Sequence, residues 1–406
     1  MTHHGTALLV ATMDTKGLEA IYLADCLRSV GIPVIIMDAG IRGTSDAPVD
    51  ITRQTVARAG GSSLKEVQNI SHEGEALKIM TAGAVKCAMD LYSSRKIQGV
   101  IGLGGSMGTT LGTAIMRSLA VGVPKVMIST MASRDTRAFV DTKDIFMLHS
   151  VCDLSGLNRI TQKVLCNGAL AMAGMLGSAV AGDVTSLKQL VFISTLGTTE
   201  ACVQSIRHTL EEKDNEVIIF HTVGAGGKAM EEMIHQEKVA ALVDLSLHEL
   251  ADHHFGGDYD AGALRGSTAL ECGVPVILIP GNIDFLVTGP QETARRLFPD
   301  RPYHVHNAAI TVVRTKPSEI EALAKIIAEP CKRSRGPWKI LVPMNGFSAF
   351  DHPDGPLYDP AAPQRFVAVL EENLDNRENL QILPYHINDP EFSSAVLEAL
   401  EEIIKF

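Results

Sequence analysis

The sequence has 406 residues, of which 46% are hydrophobic and 20% charged, and its formal net charge is −11. This length exceeds what one ordinary hydrophobic core supports, so two to three domains are expected. The acidic balance disfavours direct binding to nucleic acid, because proteins that neutralise phosphates usually carry a basic face.

Seven scattered cysteines form no C-x-x-C pair, which predicts reduced thiols and argues against a disulfide framework or a metal cage. The chain begins with Met1–Gly5 and passes directly into an apolar run, with no secretory signal. The longest apolar stretches are interrupted by Gly and polar residues and are too short to span a bilayer. We therefore expect a cytoplasmic protein that has no membrane partner and no metal site.

The first elements predict a βαβ unit. An apolar run, Ala7–Thr12, has the length of a strand, and the amphipathic segment Leu18–Val30 follows it. A second apolar run, Pro33–Asp38, completes a unit whose two strands should be parallel and joined by a right-handed crossover.

The rest of the chain continues the alternation of strands and helices. The string Gly-(Ile/Val)-Pro recurs at Gly31, Gly122 and Gly273, where each glycine is predicted to end a helix and each proline to start a strand. A long apolar helix, Leu157–Ala181, and a polar link after it predict two domains, residues 1–183 and 184–406. Further predicted strands are Gly99–Leu103, Lys125–Ser129, Leu190–Ser194, Glu216–His221, Ala240–Leu245, Pro275–Pro280, Trp338–Pro343 and Gln381–Tyr385.

The predicted strands are continuously apolar, as strands are when helices cover both faces of a parallel sheet. The predicted fold class is therefore α/β, with two Rossmann-like, doubly wound parallel-sheet lobes. In such sheets ligands bind outside the carboxyl ends of the strands. The turns that follow the strands are thus the places to look for a site.

The turn after the third strand is rich in glycine. It contains Gly104, Gly105, Ser106 and Met107 and opens a predicted helix. Glycines let backbone N–H groups approach an anion closely, and the start of a helix adds a favourable partial charge. The turn is neither a Walker A loop nor a G-x-G-x-x-G fingerprint. It predicts a phosphate or carboxylate site, with tight packing of the turn as the alternative.

The turn after the first strand carries Asp14, Thr15 and Lys16. Asp14 or Thr15 is able to cap the helix that follows. Lys16 places a cation where the start of a helix disfavours one unless an anion is nearby. This mismatch favours a ligand-binding role for Lys16.

A third turn, in the second lobe, combines His221 with Gly224, Gly226 and Gly227 and predicts a weaker anion site. Further along, His248 and Asp252 are i,i+4 neighbours, as are Glu249 and His253. Such pairs can hold a divalent metal, but the second His of a His-Glu-x-x-His motif is missing. A solvated helix end is the preferred interpretation there.

Six stretches in this order resemble the Tm-one-like ATP-binding family, a group of bacterial and fungal proteins of uncharacterised activity. The resemblance covers essentially the whole chain, and the joint order of the motifs is specific although each motif alone is weak. The stretches are Ala11–Lys16, Gly102–Ser106, His149–Arg159, Phe220–Met230, Pro343–Asp351 and Ile387–Pro390.

The resemblance implies ATP with Mg²⁺ in the first lobe and frequent dimerisation. It points to Asp14, Thr15 and Lys16, to Thr52, and to the turn Gly104–Ser106. The chain departs from the family at Glu73, where an Arg is common, so another nucleotide or an acyl-phosphate-like metabolite remains an alternative ligand. We expect a nucleotide-binding metabolic enzyme acting on a small carboxylate. The alternative is a non-catalytic ATP-binding regulatory or interaction module.

Overall fold

A computed structural model describes residues 5–177 and 187–404 of the chain. The chain divides into two compact units, Met1–Val184 and Thr185–Phe406. The predicted link between them and the predicted end of the long helix after residue 177 lie outside the described residues.

The first unit is a five-stranded sheet with helices on both faces. Its elements are β1 (Ala7–Ala11), α1 (Met13–Ser29), β2 (Val34–Asp38), α2 (Arg53–Ala59), α3 (Leu64–Asn69), α4 (Glu73–Ser93), β3 (Gly99–Gly104), α5 (Ser106–Ser118), β4 (Lys125–Ser129), α6 (Arg137–Val140), β5 (Phe146–His149) and α7 (Arg159–Gly177). The strand order is β2-β1-β3-β4-β5, and every pairing is parallel.

Both faces of this sheet are buried. Along β1, Leu8 and Val10 point into one apolar core, and Leu9 and Ala11 point into the other. Because alternate side chains of a strand face opposite sides, a strand buried on both sides must be apolar at every position. The continuous apolar runs of the sequence have this cause.

The second unit contains a six-stranded parallel sheet of order β14-β13-β9-β8-β6-β7. Its elements are β6 (Leu190–Thr195), α8 (Glu200–Glu212), β7 (Glu216–His221), α9 (Ala225–Ile234), β8 (Val239–Ser246), α10 (His248–Phe255), α11 (Thr268–Cys272), β9 (Val276–Gly281), β10 (Phe285–Thr288), α12 (Gln291–Leu297), β11 (Tyr303–Val305), β12 (Thr311–Arg314), α13 (Pro317–Cys331), β13 (Trp338–Pro343), α14 (Ala362–Asn373), β14 (Leu380–Leu383) and α15 (Pro390–Ile403). Two doubly wound parallel sheets confirm the predicted fold class.

Gly31 and Gly273 end a helix as the sequence predicts, whereas the prediction for Gly122 is wrong, because α5 already ends at Ser118. Gly31, Gly122 and Gly273 have φ values of 83°, 87° and 80°, in the left-handed region that a side chain makes costly. In each case a parallel strand starts within a few residues.

Some elements were not predicted. The second unit carries an antiparallel sheet of order β10-β12-β11, whose strands have only three or four residues. In the first unit, α2 and α3 lie in a region for which no helix was predicted from the sequence. A capping box, in which Ser63 and Glu66 exchange hydrogen bonds, starts α3. No helix among residues 5–177 and 187–404 is long and apolar enough to cross a membrane.

Candidate functional site

In the first sheet the order in which the strands are added reverses at β1. Strand β2 lies on one side of β1 and β3 on the other, so the turns after β1 and β3 lie next to each other at the carboxyl edge. This is the topological switch point at which doubly wound sheets form a ligand crevice. The order of the strands therefore makes neighbours of two turns that the sequence singles out separately.

The turn after β3 leads directly into α5. Gly104 is buried, and a Cβ there would lie 2.8 Å from Cα of Gly108, so this glycine is needed for packing. Gly105 occupies the N-cap position, and no side chain of the described residues caps the helix. The first N–H groups of α5, from Ser106 onwards, are thus without the usual capping oxygen. Free N–H groups at the start of a helix are able to bind an anion, and such a role for this turn stays a prediction.

Asp14 lies in the first turn of α1 under the loop that follows β2. Its Oδ2 accepts hydrogen bonds from the backbone N–H groups of Arg42 (3.2 Å) and Gly43 (3.0 Å). Its Oδ1 is buried and has no hydrogen-bond partner among the described residues. A buried carboxylate oxygen without a donor is costly, and a cation would satisfy it.

Thr15 and Lys16 both have hydrogen-bond partners within the protein. The hydroxyl of Thr15 lies 2.9 Å from that of Thr12. Lys16 has non-helical backbone angles, and its Nζ donates to the carbonyl oxygen of Leu154 at 2.5 Å. This bond accounts for a lysine at the start of α1 without a bound anion. The predicted ligand role of Lys16 stays a prediction.

Thr52 caps α2, since its hydroxyl oxygen accepts from the N–H of Thr55 at 3.3 Å. The next residue, Arg53, is buried, and its Nε donates to Asp38 Oδ2 at 2.7 Å. Asp38 Oδ1 in turn accepts from the N–H of Met13 at 3.1 Å, which fixes the start of α1. Sequence reasoning missed this pair. The position of Asp38 could have indicated it, because this residue is the polar one at the carboxyl end of the apolar strand β2.

A cavity of about 670 Å³ borders the turn after β1. Its lining includes Asp14 and Thr15, Ser45 and Pro48 of the loop after β2, and Gly156. The other residues predicted to bind the nucleotide do not line it. The reason is that α1 packs on one face of the sheet and α5 on the opposite face. The structure therefore does not bring the predicted residues together around this one cavity.

In the second unit the predicted anion site is filled by the chain itself. The N–H groups of Gly224 and Gly227 donate to Oε1 of the buried Glu249, at 2.7 and 3.1 Å. A Cβ at Gly227 would collide with the same carboxylate, and one at Gly226 would collide with the carbonyl oxygen of His221. These glycines serve internal packing, and an external anion would have to displace Glu249.

Glu249 belongs to a buried ionic cluster around Arg265. The guanidinium of Arg265 contacts Asp244 at 2.5 and 2.7 Å and Glu249 at 2.7 Å, and lies 3.6 Å from Glu231. Burial raises the pKa of both Glu231 and Glu249. One cation therefore holds three buried carboxyl groups at the carboxyl edge of the second sheet.

The helix with the His248–Asp252 and Glu249–His253 pairs does not assemble a metal site. The interpretation of this segment as a solvated helix end is wrong, because His248 and Asp252 are buried, with Nε2 and Oδ2 3.2 Å apart. Asp252 also accepts from the N–H groups of Tyr259 and Val287. Within residues 5–177 and 187–404, no three His, Cys, Asp or Glu side chains come together as metal ligands.

A second crevice, of about 610 Å³, lies beyond β13 and β14. His386 Nδ1 accepts from the N–H of Asn388 (3.1 Å), and Nε2 lies 3.0 Å from the carbonyl oxygen of Ser348, so the neutral ring carries its proton on Nε2. Asn388 donates to the carbonyl oxygen of Thr198, and its Oδ1 is buried without a partner among the described residues. The sequence analysis used the stretches Pro343–Asp351 and Ile387–Pro390 only for the family resemblance, although both follow predicted strands directly.

The fold and the switch-point crevice define a two-unit α/β protein of the doubly wound class. Residues 5–181 match the N-terminal domain, and residues 188–404 the C-terminal domain, of the uncharacterised protein family UPF0261. The chain belongs to this family. The family resemblance stated from the motifs is thereby confirmed.

Relatives come from bacteria and from a plant. A UPF0261 protein of Clostridium tetani is 34% identical over 395 residues, with 97% of each chain covered. The tomato mosaic virus resistance protein Tm-1(GCR237) of Solanum lycopersicum is 34% identical over 415 residues, and the match covers 97% of this chain and 55% of the tomato protein. Among solved structures, a UDP-N-acetylglucosamine 2-epimerase of Rickettsia bellii matches at 9% identity over 99% of this chain and 97% of that one. The TM-score of this match is 0.24.

Proposed function

We propose that this protein binds ATP or a related nucleotide at the switch-point crevice of the first unit. Two observations carry the proposal: the start of α5 is uncapped, and Asp14 Oδ1 has no partner among the described residues. The two groups follow β3 and β1, which are neighbouring strands. Backbone N–H groups at the start of a helix suit a phosphate. A carboxylate beside a phosphate would repel it, unless a cation lies between them.

Mg²⁺ fits this pair of groups. It prefers oxygen ligands and is commonly held by one or two carboxylates together with substrate phosphates. Asp14 Oδ1 is the protein oxygen that would hold it, and the ion would neutralise phosphate charge. The cavity lined by Asp14 and Thr15 offers room for the rest of the ligand. ATP with Mg²⁺ is therefore the first ligand to test.

Saturating ATP with Mg²⁺ is expected to raise the melting temperature of the first unit by roughly 5–10 °C, since a ligand that binds only the folded state stabilises it. Gly105→Leu should abolish the shift by covering the start of α5. A Cβ at Gly105 meets only Thr130 Oγ1 at 3.8 Å, so the variant should fold. Calorimetric melting with and without ATP is the measurement.

The matched control is Gly197→Leu, at the turn after β6 of the second unit, where a Cβ has nothing within 4 Å. It should keep the full shift. An ATP shift that survives in Gly105→Leu would remove the turn after β3 from the site. Asp14→Asn should make the remaining ATP binding insensitive to Mg²⁺, and a shift that still needs Mg²⁺ would remove Asp14 as its ligand.

We further propose that the protein is a cytoplasmic metabolic enzyme acting on a small carboxylate, with the second-unit crevice as the substrate side. Asn345 and His352 line this crevice and supply N–H donors. Asp389 is already engaged by the N–H of His386 at 2.7 Å. ATP consumption in the presence of pooled organic acids would support an enzyme. Tight ATP binding without any turnover would support the alternative, a non-catalytic regulatory or interaction module.

We also propose a symmetric homodimer that uses α7. Ile160 and Leu170 on α7 and Leu157 just before it are exposed apolar side chains. Burying such residues favours association. Light scattering at micromolar concentration should give twice the chain mass of 43.5 kDa. Ile160→Lys should shift the mass towards the monomer, and a monomer mass for the unmodified protein would contradict the proposal.

A further inference from the structure

Two cysteines far apart in the sequence meet on the surface of the first unit. Cys26 lies on α1 and Cys166 on α7, 140 residues apart, and their Sγ atoms are separated by 2.8 Å. A disulfide bond needs about 2.05 Å. Both side chains are partly exposed. A small movement of either side chain would bring the sulfurs to bonding distance, and small reagents can reach them.

The surroundings assign different roles to the two sulfurs. Burial and the hydrogen bond with Cys166 raise the pKa of Cys26 to about 12, so Cys26 keeps its proton at neutral pH. The hydroxyl of Tyr22 lies 3.6 Å from Cys166 Sγ. The contact with Cys166 raises the pKa of Tyr22 to about 12 as well. Cys166 therefore sits between two groups that hold their protons and are able to donate to it.

We propose that Cys26 and Cys166 form a redox modification site, which a low-molecular-weight disulfide such as oxidised glutathione converts reversibly into an intramolecular disulfide. Cys166 attacks one sulfur of the reagent and gives up its proton, a mixed disulfide forms, and the other half of the reagent leaves as a thiol. Cys26 then attacks the Cys166 sulfur, its proton goes to solvent or to the leaving thiolate, and the second thiol leaves. The two protein thiols are oxidised, and one reagent disulfide is reduced to two thiols.

Cys272 differs from this pair because it is exposed but has no second thiol within hydrogen-bonding distance among the described residues. Cys272 is exposed, and its Sγ lies 3.6 Å from Nδ1 of His235. Among the hydrogen bonds of the cysteines in residues 5–177 and 187–404, none other than that of Cys26 with Cys166 joins two thiols. With no thiol beside it, Cys272 can react with a disulfide reagent only as far as the mixed disulfide.

The disulfide would tie α1 to α7. Because the closed loop spans 140 residues, the bond would restrict the unfolded chain strongly. Tyr22, one turn before Cys26, lines the cavity of the first unit. The oxidised form should therefore hold one wall of that cavity more firmly in place. This inference does not depend on ATP being the ligand.

The test is to incubate the full-length protein with oxidised glutathione and to map its peptides by mass spectrometry without reduction. We expect a Cys26–Cys166 cross-linked peptide, the loss of two hydrogens, and full reversal by dithiothreitol. Cys26→Ser and Cys166→Ser should each accumulate a glutathione adduct on the remaining cysteine of the pair. Cys87→Ser, a control on α4, should still form the cross-link.

A second readout is stability. Oxidation should raise the melting temperature of the first unit by roughly 5–10 °C in the wild type and leave that of Cys26→Ser unchanged. The glutathione adduct on Cys272 shows that the reagent has reacted. A wild-type protein that carries this adduct but keeps Cys26 and Cys166 as thiols, or as two stable mixed disulfides, would overturn the proposal.

Discussion

Arg265→Met is expected to destabilise the second unit by about 3–5 kcal/mol, because it leaves buried carboxyl groups without their cation. Arg265 is fully buried and donates to Asp244, to Glu249 and to the carbonyl oxygen of Ser246. The single tryptophan, Trp338, lies on β13 of this same unit. Its fluorescence during denaturant unfolding therefore reports on the second unit alone.

Two further variants make this prediction specific. Arg333→Met removes an exposed arginine of the same unit, and little change is expected, because exposed ion pairs contribute little. Adding Glu231→Gln to Arg265→Met should restore part of the loss, since it removes one of the uncompensated acids. An Arg265→Met protein as stable as the wild type would show that the carboxyl groups of the cluster do not need this cation.

The stability of the second unit is expected to decrease as the pH rises towards neutrality, because of Asp284. Burial, together with the neighbouring Asp351, raises the pKa of Asp284 to about 7. Its Oδ2 accepts from the hydroxyl of Ser348 at 2.7 Å, and its Oδ1 has no partner among the described residues. The cation beside it in the described part of the chain is Arg314, with Nη1 3.6 Å from Oδ2. Such a carboxyl group holds a proton in the folded state.

The direction of this pH dependence follows from the number of protons that the folded and unfolded states bind. An unfolded Asp loses its proton near pH 4, whereas folded Asp284 keeps it up to about pH 7. Between these values the folded state binds more protons, so raising the pH favours unfolding by up to about 1.4 kcal/mol per pH unit. The contribution is fully present below pH 4 and lost above pH 7. Trp338 fluorescence in urea between pH 5 and 8 is the measurement.

Asp284→Asn should flatten this pH dependence and be more stable than the wild type at pH 8, because a neutral amide replaces a buried charge. Asp375→Asn, at an exposed position of the same unit, should keep the wild-type slope. A wild-type slope in Asp284→Asn would mean that another group carries the proton.

Local sequence patterns predicted most of the parallel framework. Strands β1 and β4 were predicted to within one residue at each end, since an apolar run depends on neighbouring residues. The antiparallel strands β10 and β11 were missed, because three or four residues are too few for a periodic signal. The bond between Lys16 and Leu154 joins residues 138 positions apart, and no local pattern contains it.

The sequence by itself determined the fold class and placed the candidate turns at the carboxyl ends of strands, because both follow from the spacing of apolar residues and glycines. The tertiary structure alone decided which of these turns keep their donors available. The turn before α5 has no capping side chain, whereas Glu249 occupies the N–H groups of Gly224 and Gly227. Glu249 comes from 22 to 25 residues further along the chain, and only folding brings its carboxylate to those two donors.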